Sequence, residues 1–138
     1  MREYKTLGSI TIELLISIVI ICLLIFAAFI AFQSAGARAR DLQRVADVTA
    51  IQSALKLYFT ENGFYPKSSG AEMPAAMANY LSYWPVSPAA DGSCTKDSNR
   101  YFYSQTGNAD DYTLTFCLGR SAAGLTAGAH ILTSKTIQ

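Results

Sequence analysis

The chain is poor in the residues that usually carry chemistry: one histidine, one tryptophan, four prolines, and a charge balance close to zero. Each scarcity excludes something. With His130 the sole imidazole, no metal-ligand cluster and no nucleophile–base spacing is present, so the sequence does not read as an enzyme. A net charge of +1 provides no whole-protein field to collect nucleic acid or anionic lipid, and partners have to be argued from local features. No proline precedes Pro66, so nothing of that kind interrupts a helix in the first half. There is no internal repeat, which excludes a solenoid. Charge is missing altogether from residues 14–32.

What is present begins with that gap. The stretch TLGSITIELLISIVIICLL, residues 6–24, follows a short leader carrying Arg2 and Lys5, and holds one carboxylate, Glu13, five residues after Gly8. Residues 9–32 are about 24 in number and extend about 36 Å as a helix, enough to cross a hydrocarbon core of about 30 Å. A carboxylate in hydrocarbon costs about 2.5–3.5 kcal/mol, so Glu13 reads as functional and needs a partner. A secretory signal peptide is the rival, because Ala35, Gly36 and Ala37 form an A-x-A-like site. The apolar run is much longer than a usual signal core and contains Glu13, which argues against it. A plain single-span anchor is the other alternative. Counting positive charges does not orient the span, since Arg2 and Lys5 on one side face Arg38, Arg40 and Arg44 on the other.

From Asp41 onward the pattern turns amphipathic. Leu42, Val45, Val48, Ile51, Leu55 and Tyr58 recur at steps of three or four, with Arg44, Asp47, Gln52 and Lys56 between them, which predicts one apolar stripe on a helix. Asn62 and Gly63 suit its C-terminal cap, with Pro66 close behind. Read continuously from residue 9 to 61, the helix is about 80 Å long, far more than a small domain can bury. Beyond it, residues 68–93 are loop-like, with one helical turn expected at 75–81. RYFYSQ (100–105) and YTLTFCL (112–118) read as strands joined by a turn in TGNADD, and a third strand is expected near residues 130–133. The expected fold is therefore α+β: a long N-terminal helix, apolar in its first half and amphipathic in its second, packed on a small antiparallel sheet. The expected segments are a leader at 1–8, an apolar helix half at 9–37 and a globular domain at 38–138.

The three cysteines separate by context. Cys22 lies in the apolar run and reads as a small packing residue. In an exported domain Cys94 and Cys117 would close a loop of about 24 residues, worth about 3.5 kcal/mol in the chain-entropy model. In a cytosolic protein they would be two free thiols.

The basic leader ending at Gly8, Glu13 at the fifth position after it, the ITIELLISIVIICLL core and the helix leading to ENGFYP at 61–66 together resemble the class III signal of type IV pilins and the related pseudopilins of type II secretion. The resemblance runs from the N-terminus to about Pro66; beyond it, YLSYWPVSP and the hairpin are similar only in layout to G-type pseudopilins and compact bacterial pilins. Two positions depart from the pattern: Ser9 stands where phenylalanine is common, and Ile30 where a proline often occurs. The resemblance implies that a prepilin peptidase cuts after Gly8 and methylates the new amine of Ser9. It also implies that the chain waits in the lipid of the cytoplasmic membrane with its globular domain outside. Assembly machinery in that membrane then draws it into a helical homopolymer, at the cell surface or in the periplasm. The partner implied for Glu13 is the Ser9 amine of a neighbouring subunit. An α-amine has an ordinary pKa near 7.7–8.0 and is largely protonated at neutral pH, so cleavage creates a cation suited to that role.

Two further readings follow from local residues. G-type pseudopilins bind calcium in a loop region comparable to the one holding Asp91, Asp97, Asp110 and Asp111, and oxygen-rich loops suit that ion; no EF-hand pattern occurs, and turns favour Asp in any case. Lys96, Arg100, Tyr101, Tyr103 and Arg120 interleave basic and aromatic side chains as a nucleic-acid surface does, but strand tyrosines more often serve cross-strand packing. The alternative to a filament subunit is an anchored or secreted binding domain that does not polymerise.

Overall fold

In the computed structural model, residues 5–105 and 107–137 are described, with side chains from residue 10 onward. The leader at 1–8 therefore lies largely outside the described residues. The elements in order are α1 (Lys5–Asn62), β1 (Ser69–Gly70), a 3-10 turn (Ala75–Met77), β2 (Phe102–Ser104), β3 (Thr113–Leu118) and β4 (Gly128–Thr133). The chain divides into two compact units, one ending at Gly36 and the other beginning at Ala37. The fold is α+β, as the sequence predicts.

In the second unit the strands form one antiparallel sheet in the order β1-β2-β3-β4. Tyr103 pairs with Leu114 and Phe116 with His130, so the register follows chain order throughout. The alternation expected on β3 holds as far as Phe116 and then breaks: Tyr112, Leu114, Phe116 and Leu118 are buried and Thr113 is exposed, but Cys117, expected on the other face, is buried too. The four side chains of the expected face meet Val48, Ile51, Leu55 and Tyr58 of α1 in a single core. Burial of each such residue contributes about 1.5–3 kcal/mol. Tyrosines fill the end of this core near the close of α1. Tyr65 stands edge-on to Tyr112 at 4.7 Å, Tyr112 stacks on Tyr103 at 5.8 Å, and the Tyr103 hydroxyl donates to the Pro66 carbonyl at 2.7 Å. Burial pushes the phenols of Tyr103 and Tyr112 well above their ordinary value.

α1 closes where the sequence places its cap. Gly63 has φ +77° and its amide bonds the Phe59 carbonyl at 2.8 Å, a conformation that glycine adopts without Cβ strain. The strand near 130 starts earlier than expected, at Gly128, and the expected turn at 75–81 is a 3-10 turn confined to Ala75–Met77. β1 was not legible: it is two residues long, and Ser69 and Gly70 carry no strand signature.

The buried face of α1 corrects the expected stripe. Leu42 is half exposed, whereas Asp41 and Arg44 are fully buried. The face that meets the sheet runs 37, 41, 44, 48, 51, 55, 58, alternating steps of four and three, and two of its positions are charged.

Candidate functional site

Two features on the chain invite a functional reading: the apolar half of α1, and the charged cluster at its buried polar positions.

In the first unit, sixteen large apolar side chains between residues 10 and 32 are 49% to 81% exposed. Leaving each in water forfeits at least about 1.5 kcal/mol, a total above about 20 kcal/mol and beyond the net stability of a typical domain. The segment is long and apolar enough to cross a membrane. Glu13 is exposed on it and makes no ion pair among the described residues. Polar groups here are otherwise absorbed locally: the Ser17 and Ser34 hydroxyls donate to the carbonyls of Glu13 and Ile30, four residues back, at 2.8 and 3.1 Å. Cys22 is exposed and free. Gly8 and Ser9 belong to the α1 backbone.

In the second unit, Arg44 is the centre of the cluster. Its guanidinium donates to Asp41 Oδ1 at 2.7 Å, Asp91 Oδ1 at 2.9 Å, the Ala89 carbonyl at 2.8 Å and Asn99 Oδ1 at 3.2 Å. Asp41 in turn accepts from the backbone amides of Gly119 and Arg120 at 2.8 and 3.0 Å. Arg40 holds the other oxygen of Asp91 with two bonds, at 2.9 and 2.7 Å. Burial alone would raise the Asp91 carboxyl, but these arginine bonds hold it below the ordinary carboxylate value. The arrangement fastens α1 to the 87–99 loop and to the end of β3 through charge rather than apolar contact.

The cysteines lie against this cluster. Cys94 and Cys117 are joined by a disulfide with Cα atoms 5.8 Å apart, the pairing expected for an exported domain. Beside it the Ser93 amide bonds the Gly119 carbonyl at 3.0 Å and the Cys94 amide bonds the Asp91 carbonyl at 3.0 Å. The approach is so close that a Cβ at Gly119 would overlap the Asp91 carbonyl and carboxylate.

The four aspartates considered for calcium are not brought together. Asp91 is held by two arginines, Asp111 accepts the Tyr112 and Ser134 amides at 2.8 and 3.1 Å, and no group of three His, Cys, Asp or Glu side chains able to hold a metal occurs among the described residues. Asp97 and Asp110 are both exposed. Of the residues considered for nucleic acid, Tyr101 and Tyr103 are buried in the core, and the Tyr101 hydroxyl donates to Asp47 Oδ2 at 2.8 Å, so neither ring can stack on a base. Arg100 lies over the Phe102 ring, 5.8 Å from its centroid.

The charged cluster is what the sequence reading missed. The signal was there: Asp41 and Arg44 fall in phase with Val48, Ile51 and Leu55, three and four residues apart, on the face that must be buried. Compared with protein families, with curated proteins and with solved structures, the chain matches none of them.

Proposed function

We propose that the chain is a structural subunit of a pilin-like filament, inserted in the membrane as a precursor, cut after Gly8 and assembled through its apolar helix half. The observation that carries this reading is the exposed apolar segment at 10–32 with one carboxylate near its start. Such a surface requires hydrocarbon or other helices around it, and a filament core supplies the second after the membrane has supplied the first. Glu13 then has a use that a plain anchor does not give it: an ion pair with the Ser9 amine of a neighbouring subunit, in surroundings where a misplaced subunit would leave a charge bare. A helix packed on a small antiparallel sheet is compatible with the fold of pilins, and the disulfide suits an extracytoplasmic domain. Whether the filament is a surface pilus or a secretion pseudopilus depends on partners beyond this chain.

Glu13→Gln tests the reading, because it keeps shape and hydrogen bonding while deleting charge. Filaments recovered by shearing are measured beside the membrane-fraction level of processed protein. The expected result is normal insertion and an N-terminus at Ser9 by mass spectrometry, with filament yield largely lost. Normal filaments from both Glu13→Gln and Glu13→Ala would mean that Glu13 is not the assembly contact, absence of filaments from the unsubstituted chain would leave an anchored domain that does not polymerise, and a mature chain beginning at Arg38 would establish a cleaved secretory signal.

A further inference from the structure

The 87–99 loop covers the Asp41–Arg44 pair without joining the apolar core. Among the described residues, Cys94 is the only buried one from Val86 to Arg100. The Ser87 hydroxyl and the Asn99 side-chain amide tie the two ends of the loop together, donating to Asn99 Oδ1 and the Pro88 carbonyl at 3.0 and 2.6 Å. Its attachments to the rest of the unit are the bridge to Cys117, the Ser93 amide on the Gly119 carbonyl, and the bonds it accepts from Arg40 and Arg44. Fixing about a dozen residues costs backbone entropy at each, and this loop sets almost no apolar burial against that cost.

The bridge sits where both halves of the cluster meet. Three of the Arg44 acceptors, Ala89, Asp91 and Asn99, belong to the loop, whereas the fourth, Asp41, is on the same helix. Cys94 follows Asp91 by three residues, with its amide on the Asp91 carbonyl; Cys117 precedes Gly119 by two, and the amides of Gly119 and Arg120 hold Asp41. One covalent bond therefore joins the segment that satisfies Arg44 to the strand end that satisfies Asp41. A guanidinium can leave water only where acceptors meet it, so the burial of Arg44 depends on the loop being in place. The sulfurs are covered as well: Cys94 and Cys117 are 6% and 3% exposed, and thiol–disulfide exchange at either requires the loop to lift.

We propose that the 87–99 loop is a redox-gated lid, latched over Arg44 by the Cys94–Cys117 bridge. With both cysteines as thiols the lid opens and Arg40 and Arg44 face water, while the sheet and the core from Val48 onward stay folded. Latching takes two electrons and two protons from the thiols. One cysteine thiolate attacks a small or protein disulfide, releasing the first donor thiol; the other attacks the mixed disulfide, releasing the second, and the donor leaves fully reduced. A reducing compartment thus keeps the lid open, and an oxidising one closes it and buries the bond it has made. The device lies within the second unit and does not depend on the filament reading, so its failure leaves that reading untouched.

The test uses the full chain in detergent, oxidised or reduced, with phenylglyoxal modification of each arginine located by mass spectrometry. Arg44 is fully buried and should be protected in the oxidised chain, and reduction should speed its modification by at least about fivefold while amide exchange on β3 stays slow. The variant Cys94→Ala, Cys117→Ala should match the reduced chain. Arg44 equally protected with and without the bridge would overturn the latch, and β3 amides released together with Arg44 would replace the lid by unfolding of the whole unit. Lid closure and oxidation favour each other by one common factor, so weakening the lid must make the bridge easier to reduce. In glutathione buffers, Asp91→Asn and Asn99→Ala should each shift the equilibrium toward thiols by at least about fivefold, about 20 mV for two electrons. Tyr103→Phe, which removes the hydroxyl bonded to the Pro66 carbonyl, should lower the thermal midpoint and leave that equilibrium in place. A redox shift that follows midpoint loss alike in Tyr103→Phe and Asp91→Asn would overturn the lid.

Discussion

Replacing Arg44 by Met should be among the most damaging single changes in the second unit, although position 44 lies on the helix face that packs against the sheet and Met is a good core residue. The Arg44 side chain is fully buried and makes four hydrogen bonds, two of them to carboxylates. Its removal leaves Asp41, 1% exposed, with two backbone amides and no cation, and strips a donor from the Ala89 carbonyl. Breaking a buried pair from one side costs about 3–5 kcal/mol. At about 4–8 °C per kcal/mol for a unit near this size, the midpoint should fall by at least about 12 °C. Arg40→Ala is the matched control: Asp91 keeps Arg44, and the Arg40 side chain is 37% exposed, so solvent screening limits the loss to about 1 kcal/mol. Trp84, the single tryptophan, reports unfolding of this unit by fluorescence in detergent-solubilised full-length chain. The double variant Asp41→Asn, Arg44→Met should cost less than the sum of its parts, since the carboxylate bared by the second change is then neutral. If Arg44→Met costs no more than Arg40→Ala, or the double variant is additive, the reasoning about a buried charge network is wrong.

Reducing the Cys94–Cys117 bridge should cost about 2–5 kcal/mol, and a non-reducing peptide map should contain that cross-link with Cys22 free to alkylate. Gly119→Ala should destabilise by about 1–3 kcal/mol in the same fluorescence assay, because its Cβ would collide with the Asp91 backbone and carboxylate; an unchanged midpoint would mean that the 91–94 turn yields freely. On the acid side, the carboxyl of Asp91 is lowered on folding, so its contribution is present above the unfolded value near 3.9 and is lost as pH falls below it; Asp91→Asn should flatten that part of the stability–pH curve. On the alkaline side, burial raises the phenols of Tyr101, Tyr103 and Tyr112, so the folded state holds their protons longer and loses stability as pH rises above about 10. Tyrosinate absorbance should therefore appear together with unfolding, and smooth titration of these three in folded protein would contradict their burial.

The sequence by itself determined what short-range physics controls. A run without charge from 14 to 32 is a helix seeking hydrocarbon whatever follows it, Asn62 and Gly63 end a helix because only a residue tolerant of positive φ fits there, and alternation from Tyr112 to Phe116 sets which face of β3 meets the core. The oddity of Glu13 was equally visible, since a lone carboxylate in such a run needs a reason. Tertiary structure alone decided which side of α1 is buried. Leu42 lies beside Asp41 and is far more apolar, so hydropathy favoured the wrong residue there, whereas Val45 beside Arg44 is partly buried against the core as expected. Arg44 is buried because Asp91, Asn99 and the Ala89 carbonyl converge on it from 45 to 55 residues away, and Asp41 because the amides of Gly119 and Arg120 arrive from 78 and 79 residues away. A charge can leave water only where partners satisfy it, and the chain must fold before those partners are neighbours.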